Sequence, residues 1–408
     1  MNEAQYSDLA AWLNEAGLTG QSEIDLVAGF CERLSSGDVP IQRCFVGIDT
    51  LHPVHEGRAV VWRRGSNETK LTEYGRTGSD EGDRSEAWRR SPFYHLLETK
   101  QTVLRRRLTA ETESEFSIFP ELRQAGATDY VAIATSFGSE RRITIMDGIM
   151  SSWTTDAATG FRDEDVALLR RAMRPLAISL KAAALTHVAE TLVQTYLGRD
   201  AAQRVLNGQI ARGVPDRIKA VLWFSDLRGY TKISDTAAPD QIIPLLNDYA
   251  ETIIGAIHEQ GGDVLKLMGD GVLAIFNFDN SSRACCRALD AAAAAARNIA
   301  SLTRRRAASV LPITEMYLGL HVGDVFYGNV GSADRLDFTV VGPAVNEVSR
   351  IASMCRSVDR PLLLSSAFVE ALGKDAPPLA SVGRFALRGV GQAQDLFTLD
   401  PGRANPAP

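Results

Sequence analysis

Cysteine is scarce in this chain. Its 408 residues hold five (Cys31, Cys44, Cys285, Cys286 and Cys355), an odd number with no C-x-x-C pair. That excludes a secreted disulfide scaffold, leaves no Cys/His ligand set for zinc, and fits core thiols in a reducing compartment. Long apolar runs are missing too. No stretch approaches the ~18 residues that a bilayer span requires, and the amino terminus MNEAQYSDLA lacks the basic-then-apolar order of a signal peptide. The expectation is a soluble, cytoplasmic protein with no membrane partner. Positive charge is also in deficit: 44 Lys and Arg against 50 Asp and Glu leave a net charge of −6, which argues against broad nucleic-acid binding. The basic runs Arg105 to Arg107 and Arg304 to Arg306 are read as solvated faces. The close histidine pair His52 and His55 brackets Pro53 and is read as a surface turn.

What is present is the composition of a globular protein, 45% hydrophobic and 23% charged. At ~150 residues per domain the length predicts two or three domains. Residues 1–162 read as one mixed α/β unit. An amphipathic helix near Ser22 to Ser35 precedes strand-like runs at Arg43 to Ile48, Arg58 to Arg63, Tyr130 to Ser136 and Arg142 to Asp147. From Asp163 the period turns helical. Val166, Leu169, Met173, Leu176 and Leu180 line one face, a seam for the first domain or for a second copy of the chain. Residues 163–216 are read as a helical linker, broken at Gly198 and at Gly213 to Pro215.

Residues 217–400 change character again. A strand (Ala220 to Phe224), a helix (Gln241 to Gln260), two close strands (Val264 to Met268, Val272 to Phe276), an alanine-rich helix (Ser282 to Leu302) and strands near Met316 to His321 and Val325 to Val330 follow in order. This is the βαββαβ order of a ferredoxin-like fold, so the fold class is α+β. Residues 401–408, PGRANPAP, are expected to be a disordered tail.

Two carboxylates stand out. Val221 to Phe224 lead into Ser225-Asp226, where a buried strand emerges beside the loop Leu227 to Thr231. Gly229 there allows close backbone approach, and the N–H groups of Tyr230 and Thr231 can cradle phosphate. Asp270 sits in the Gly269-Asp270-Gly271 hairpin turn. In a ferredoxin-like sheet the first strand and this hairpin are central neighbours, which brings Asp226 and Asp270 together. Two adjacent carboxylates invite a cation, and oxygen ligands suit Mg²⁺ or Mn²⁺.

With these residues in view, the segment from about 217 to 399 resembles the catalytic domain of the class III nucleotidyl cyclases. F-S-D-L-R-G-Y-T matches the family's first metal motif. The resemblance therefore implies Asp226, the Leu227 carbonyl and Asp270 as ligands of two Mg²⁺ or Mn²⁺ ions. Val345-Asn346-Glu347-Val348-Ser349-Arg350 matches the V-N-x-A-S-R helix, with valine for alanine at 348, and implies Asn346 on ribose and Arg350 on the reacting phosphate. Lys266 falls at the base-reading position of adenylate cyclases. Thr339, seven residues before Asn346, falls where many of them carry aspartate, and threonine is the variant of the bicarbonate-responsive subgroup. Arg388 stands where the family often has a triphosphate-binding lysine.

The resemblance implies ATP as substrate, 3′,5′-cyclic AMP and pyrophosphate as products, and a homodimer whose shared sites take the metal aspartates from one protomer and the purine, ribose and phosphate groups from the other. A hydroxyl at 339 donates as readily as it accepts, so guanylate cyclase remains an alternative, as does a non-catalytic nucleotide-binding homologue. Gly261-Gly262-Asp263 echoes the diguanylate cyclase motif but lacks its E-F, and the two glycines are read as the stop of the helix ending near Gln260. The amino-terminal unit more weakly resembles a GAF-type sensor, through Gly126 to Val131 and Gly160 to Asp165, and its signal is unknown.

Overall fold

The computed structural model describes residues 1–50, 52, 55–66, 68–75, 83–112, 114–138, 148–211, 213 and 215–400. They divide into two compact units, Met1–Leu192 and Val193–Pro408. The strand expected at Arg142 to Asp147, the 401–408 tail, and Pro53 and Val214 lie outside the described residues.

The first unit contains α1 (Glu3–Leu18), α2 (Glu23–Ser36), β1 (Arg43–Asp49), β2 (His55–Arg63), β3 (Lys70–Gly75), α3 (Asp83–Arg89), α4 (Pro92–Thr99), β4 (Val103–Arg107), α5 (Phe119–Gln124), β5 (Asp129–Ser136), β6 (Gly148–Thr155) and most of α6 (Asp163–Leu197). Its six strands form an antiparallel sheet in the order β3-β2-β1-β6-β5-β4. Strand β5 shows why its sequence reads as one apolar run. Val131 and Ile133 enter the core beneath α1, α2 and α6, while Tyr130 and Ala132 enter a second core beneath α4 and α5.

The seam on α6 has a partner inside the unit. Leu169, Met173, Leu176 and Leu180 are buried in the same core as Leu13 of α1, Phe30 of α2 and Trp153 of β6. A second copy therefore does not have this seam to pair with. By length and mean hydropathy α6 is the one described helix that would pass as a membrane span, with 33% of that stretch buried, which corrects the expectation that no stretch approaches such a length.

The basic runs correct another expectation in part, since Arg304 and Arg305 are exposed as expected but the other four arginines are held by partners. Asp129 is fully buried and accepts from Arg105 Nη2 (2.9 Å) and from the Phe161 N–H (3.1 Å), while Arg105 Nη1 also reaches Asp163 (2.7 Å). Arg106 pairs with Glu115 and Arg107 with Asp129. Arg306 is buried, pairs with Asp248 and donates to the Pro312 carbonyl at 2.8 Å. These arginines tie elements together, because a buried carboxylate or an open helix end needs a charged or donor partner.

The second unit begins with α7 (Arg199–Leu206) and β7 (Asp216–Leu227). It continues with α8 (Tyr230–Thr236), α9 (Pro239–Glu259), β8 (Asp263–Met268), β9 (Gly271–Phe276), α10 (Ser281–Ala308), β10 (Met316–Gly331), β11 (Leu336–Val341), α11 (Pro343–Val358), β12 (Leu362–Ser365), α12 (Ser366–Leu372), β13 (Leu379–Phe385) and β14 (Gln394–Leu399). The sheet runs β13-β14-β12-β10-β7-β9-β8, with β11 also paired to β10. Its β10-β7-β9-β8 portion has the ferredoxin-like order, so β7 and the β8–β9 hairpin are central neighbours as expected.

One face of this sheet packs on α9 and α10 through Val221, Trp223, Ala274 and Phe276, and the other holds Leu222, Leu273, Ile275, Phe338 and Val348. The two strands expected between Met316 and Val330 are one continuous strand. In β10 the apolar positions are even up to Val322 (Leu318, Leu320) and odd from Val325 (Tyr327), because the strand leaves one core and joins the other. That exchange of faces, at Gly323-Asp324, reads as a break in a period-2 pattern.

Candidate active site

Strand β7 carries apolar side chains to both cores through Leu222 and Trp223 and then presents Asp226 at its end. The β8–β9 turn delivers Asp270 to the same place, where Asp270 Oδ2 accepts the Leu227 N–H at 3.2 Å. Asp226 is open to solvent on one side. Even so, partial burial first, and then the neighbouring Asp270 carboxyl, raise it from the ordinary range to about 7. A groove of about 180 Å³ lined by Leu227, Ile243, Asn247, Leu267 and Asp270 opens beside the pair.

The arrangement fits a hard divalent cation. It offers carboxylate oxygens at an open groove, and among the described residues no cluster of three His, Cys, Asp or Glu side chains forms a self-sufficient cage. Mg²⁺ and Mn²⁺ use one or two carboxylates and take their remaining ligands from water and phosphate. The Leu227 backbone lies in this corner. After it, Gly229 takes the left-handed conformation (φ 70°) and opens α8, whose first N–H groups, on Tyr230 and Thr231, have no side-chain cap.

A pH dependence follows with a definite sign. A carboxyl whose folded pKa is raised from 3.8 to about 7 supports the fold below its unfolded pKa, and that support is lost as pH rises through about 7. Without divalent ions the melting midpoint should therefore fall between pH 5 and pH 8. Added Mg²⁺ should raise it more at pH 8 than at pH 5, and Asp226→Asn should flatten both trends in thermal scans.

Lys266, exposed on β8, forms an ion pair with Asp337 on β11. Phe338 and Val340 of β11 turn into the core, so Asp337 and Thr339 share the opposite face. The structure thus brings Lys266 to the strand that bears Thr339. Asp337 was missed at the sequence level, although its place two residues before Thr339 on a strand was the available signal.

Helix α11 buries Val348, Ile351, Ala352 and Cys355, while Asn346 faces solvent and Arg350 is half-buried one turn later. Glu347 fixes its height: it lies 3.4 Å from His321 Nε2 on β10 and accepts from Gln394 Nε2 on β14 at 2.8 Å, while His321 Nδ1 meets Ser365 Oγ at 2.8 Å. Burial lowers the His321 pKa, with Glu347 opposing it. The Arg350 guanidinium lies against Gly389 in the β13–β14 loop, the loop that carries exposed Arg388. A Cβ at Gly389 would stand 3.0 Å from Arg350 Nη1, at a φ of 71° that side chains rarely adopt.

The Gly261-Gly262-Asp263 segment has a structural role. The Gly262 N–H closes the end of α9 on the Ile257 carbonyl at 2.9 Å, and the Asp263 carboxyl takes a backbone hydrogen bond from Asp200 in the first turn of α7. Ala201 and Ala202 of α7 are buried, and Arg204 pairs with Asp200 and Asp216. At the elbow before α7, Gly198 (φ 84°) lies so close to β8 that a Cβ would stand 2.5 Å from the Val264 carbonyl oxygen, two residues before Lys266.

Residues 216–399 match the family model of the adenylate and guanylate cyclase catalytic domain. The match spans a little under half of the chain. An adenylate cyclase of Anabaena cylindrica is 32% identical to this chain over 160 residues, 39% of this chain and 32% of that protein. A bacterial light-regulated adenylyl cyclase superposes with a TM-score of 0.47 at 20% identity, over 56% of this chain and 64% of its own. The adenylyl cyclase CyaB from P. aeruginosa does so with a TM-score of 0.43 at 24% identity, over 45% and 94%. The chain covers about a third of the Anabaena protein's length. Within the matched segment, the residues carrying the motifs fall into three groups: Asp226 with Asp270, Lys266 with the Thr339 strand, and Arg350 with the Arg388 loop.

Proposed function

We propose that this chain is an adenylate cyclase that converts ATP to 3′,5′-cyclic AMP and pyrophosphate as a homodimer. The observation that carries the reading is the convergence of Asp226 and Asp270 at an open groove inside a cyclase domain. Two divalent ions held there, Mg²⁺ or Mn²⁺, would lower the pKa of the ribose 3′-hydroxyl and offset triphosphate charge. Lys266 donates to adenine N1, and the Thr339 hydroxyl accepts from the adenine amino group. Asn346 orients the ribose. The Tyr230 and Thr231 N–H groups, Arg350 and Arg388 bind phosphate oxygens, and Arg350 opposes the charge that builds as the 3′-oxygen bonds to the α-phosphorus and the bond to pyrophosphate breaks. No protein nucleophile takes part.

Guanylate cyclase is the second reading, favoured only by the Thr339 hydroxyl, which can donate as well as accept. Purified chain given ATP or GTP with Mn²⁺, with products identified by mass, separates the two. Cyclic AMP should dominate, and a larger yield of cyclic GMP would reverse the assignment.

The amino-terminal unit is proposed to be a GAF-like sensor for a small molecule or protein signal. Its route to the site is the elbow at Gly198, because α7 is clamped to the strand that bears Lys266. Gly198→Val forces that strand or the elbow to move, and should cut kcat/KM for ATP by about tenfold. Mn²⁺ binding, followed by paramagnetic resonance, should stay unchanged.

A further inference from the structure

The base-reading lysine does not stand alone. Lys266 reaches from β8 to the carboxylate of Asp337 on β11, although 71 positions separate the two in the chain. Both side chains are substantially exposed, at 46% and 41%. Exposed ion pairs contribute little to stability, so the fold has small need of this one.

Its placement points to another use. In β11, residues 337 and 339 share a face while 338 and 340 fill the core, which sets their side chains one strand repeat apart, ~6.8 Å. The ammonium is therefore anchored at one end of the face on which Thr339 is the next side chain. An unanchored lysine side chain samples many rotamers and must be ordered each time a purine binds. A carboxylate holding one of its three N–H bonds removes much of that cost and leaves two donors for a purine acceptor.

We infer that Asp337 is a positioning residue for the purine subsite: it acts through Lys266, setting the ammonium where a purine ring nitrogen meets it. It also supplies the acidic partner that the hydroxyl of Thr339 does not. This rests on the cyclase reading and deepens it, since the residue governs how tightly the nucleobase is held and has no part in metal binding or phosphoryl transfer.

The test takes the full chain with Mn²⁺ and compares wild type, Asp337→Asn, Asp337→Glu, Lys266→Ala and the double variant Asp337→Asn/Lys266→Ala. Asp337→Asn should raise the KM for ATP by about tenfold or more, with kcat within about threefold, because a binding interaction shared by ground and transition states is weakened. Asp337→Glu should recover most of the loss. In the Lys266→Ala background, Asp337→Asn should add nothing, since a residue acting through another has no separate effect once that partner is gone. The melting midpoint of Asp337→Asn should stay within about 2 °C of wild type.

An unchanged KM in Asp337→Asn, or losses that multiply in the double variant, would overturn the inference. Calorimetric binding of α,β-methylene-ATP, which cannot be cyclised, keeps the two claims apart. A wild type that binds this analogue without turning over ATP contradicts the cyclase reading. Equal binding by wild type and Asp337→Asn contradicts the role of Asp337.

Discussion

Asp226→Ala should lower cyclic nucleotide production by about a thousandfold or more while making the metal-free protein more stable at pH 8. The two effects share one cause. Asp226 and Asp270 are held together at the end of β7, and partial burial first, then the neighbouring Asp270 carboxyl, raise Asp226 to about 7. Removing one carboxylate relieves both and also removes half of the cation site. A residue that merely supported the fold would lose activity and stability together. Asp270→Ala should lose comparable activity, with a smaller gain in stability, because its carboxylate also accepts the Leu227 N–H and that donor is left unpaired. Turnover by mass-resolved product analysis, with melting curves at pH 8 without divalent ions, checks both.

The second large effect is a rescue. If each site draws its metal aspartates from one protomer and its purine-reading group from the other, the Asp226→Ala homodimer is inactive and the Lys266→Ala homodimer is strongly impaired at ATP below the wild-type KM, but the two complement each other when mixed and assayed there. Random exchange makes about half of the dimers mixed, each with one intact site of two, so the mixture should regain about a quarter of wild-type activity. Co-expression with two affinity tags isolates the mixed dimer, which should show about half of wild-type activity. A doubly selected dimer no more active than the Lys266→Ala homodimer would place Lys266 and Asp226 in the same site, or remove Lys266 from the chemistry altogether.

Much of the second unit was legible because its signals are local. The apolar run Val221 to Phe224, the Gly269-Asp270-Gly271 turn and the helix that carries Asn346 and Arg350 each announce a strand end, a hairpin or a helical face. The ferredoxin-like order then places Asp226 beside Asp270. What escaped was long-range. Asp337 meets Lys266 only because β11 lies beside β8, and Glu347 clamps α11 only because His321 and Gln394 arrive from β10 and β14. Strand β10 reads as two because its apolar parity changes core, and the glycines that end α9 as expected give no local sign that Asp263 caps α7. In the first unit, Arg105 to Arg107 read as a solvated run since nothing local predicts the buried Asp129 facing them. Helices α1, α3, α4 and α5 and strands β3, β4 and β6 were not anticipated at all, several being too short to show a period.

The grip of two acids on a cation is read by Mn²⁺ paramagnetic resonance without relying on turnover. Titration of the full chain at pH 8 should show saturable binding in the wild type and strong weakening in both Asp226→Asn and Asp270→Asn, which keep shape while removing charge. Binding that is the same in all three proteins would rule out that grip.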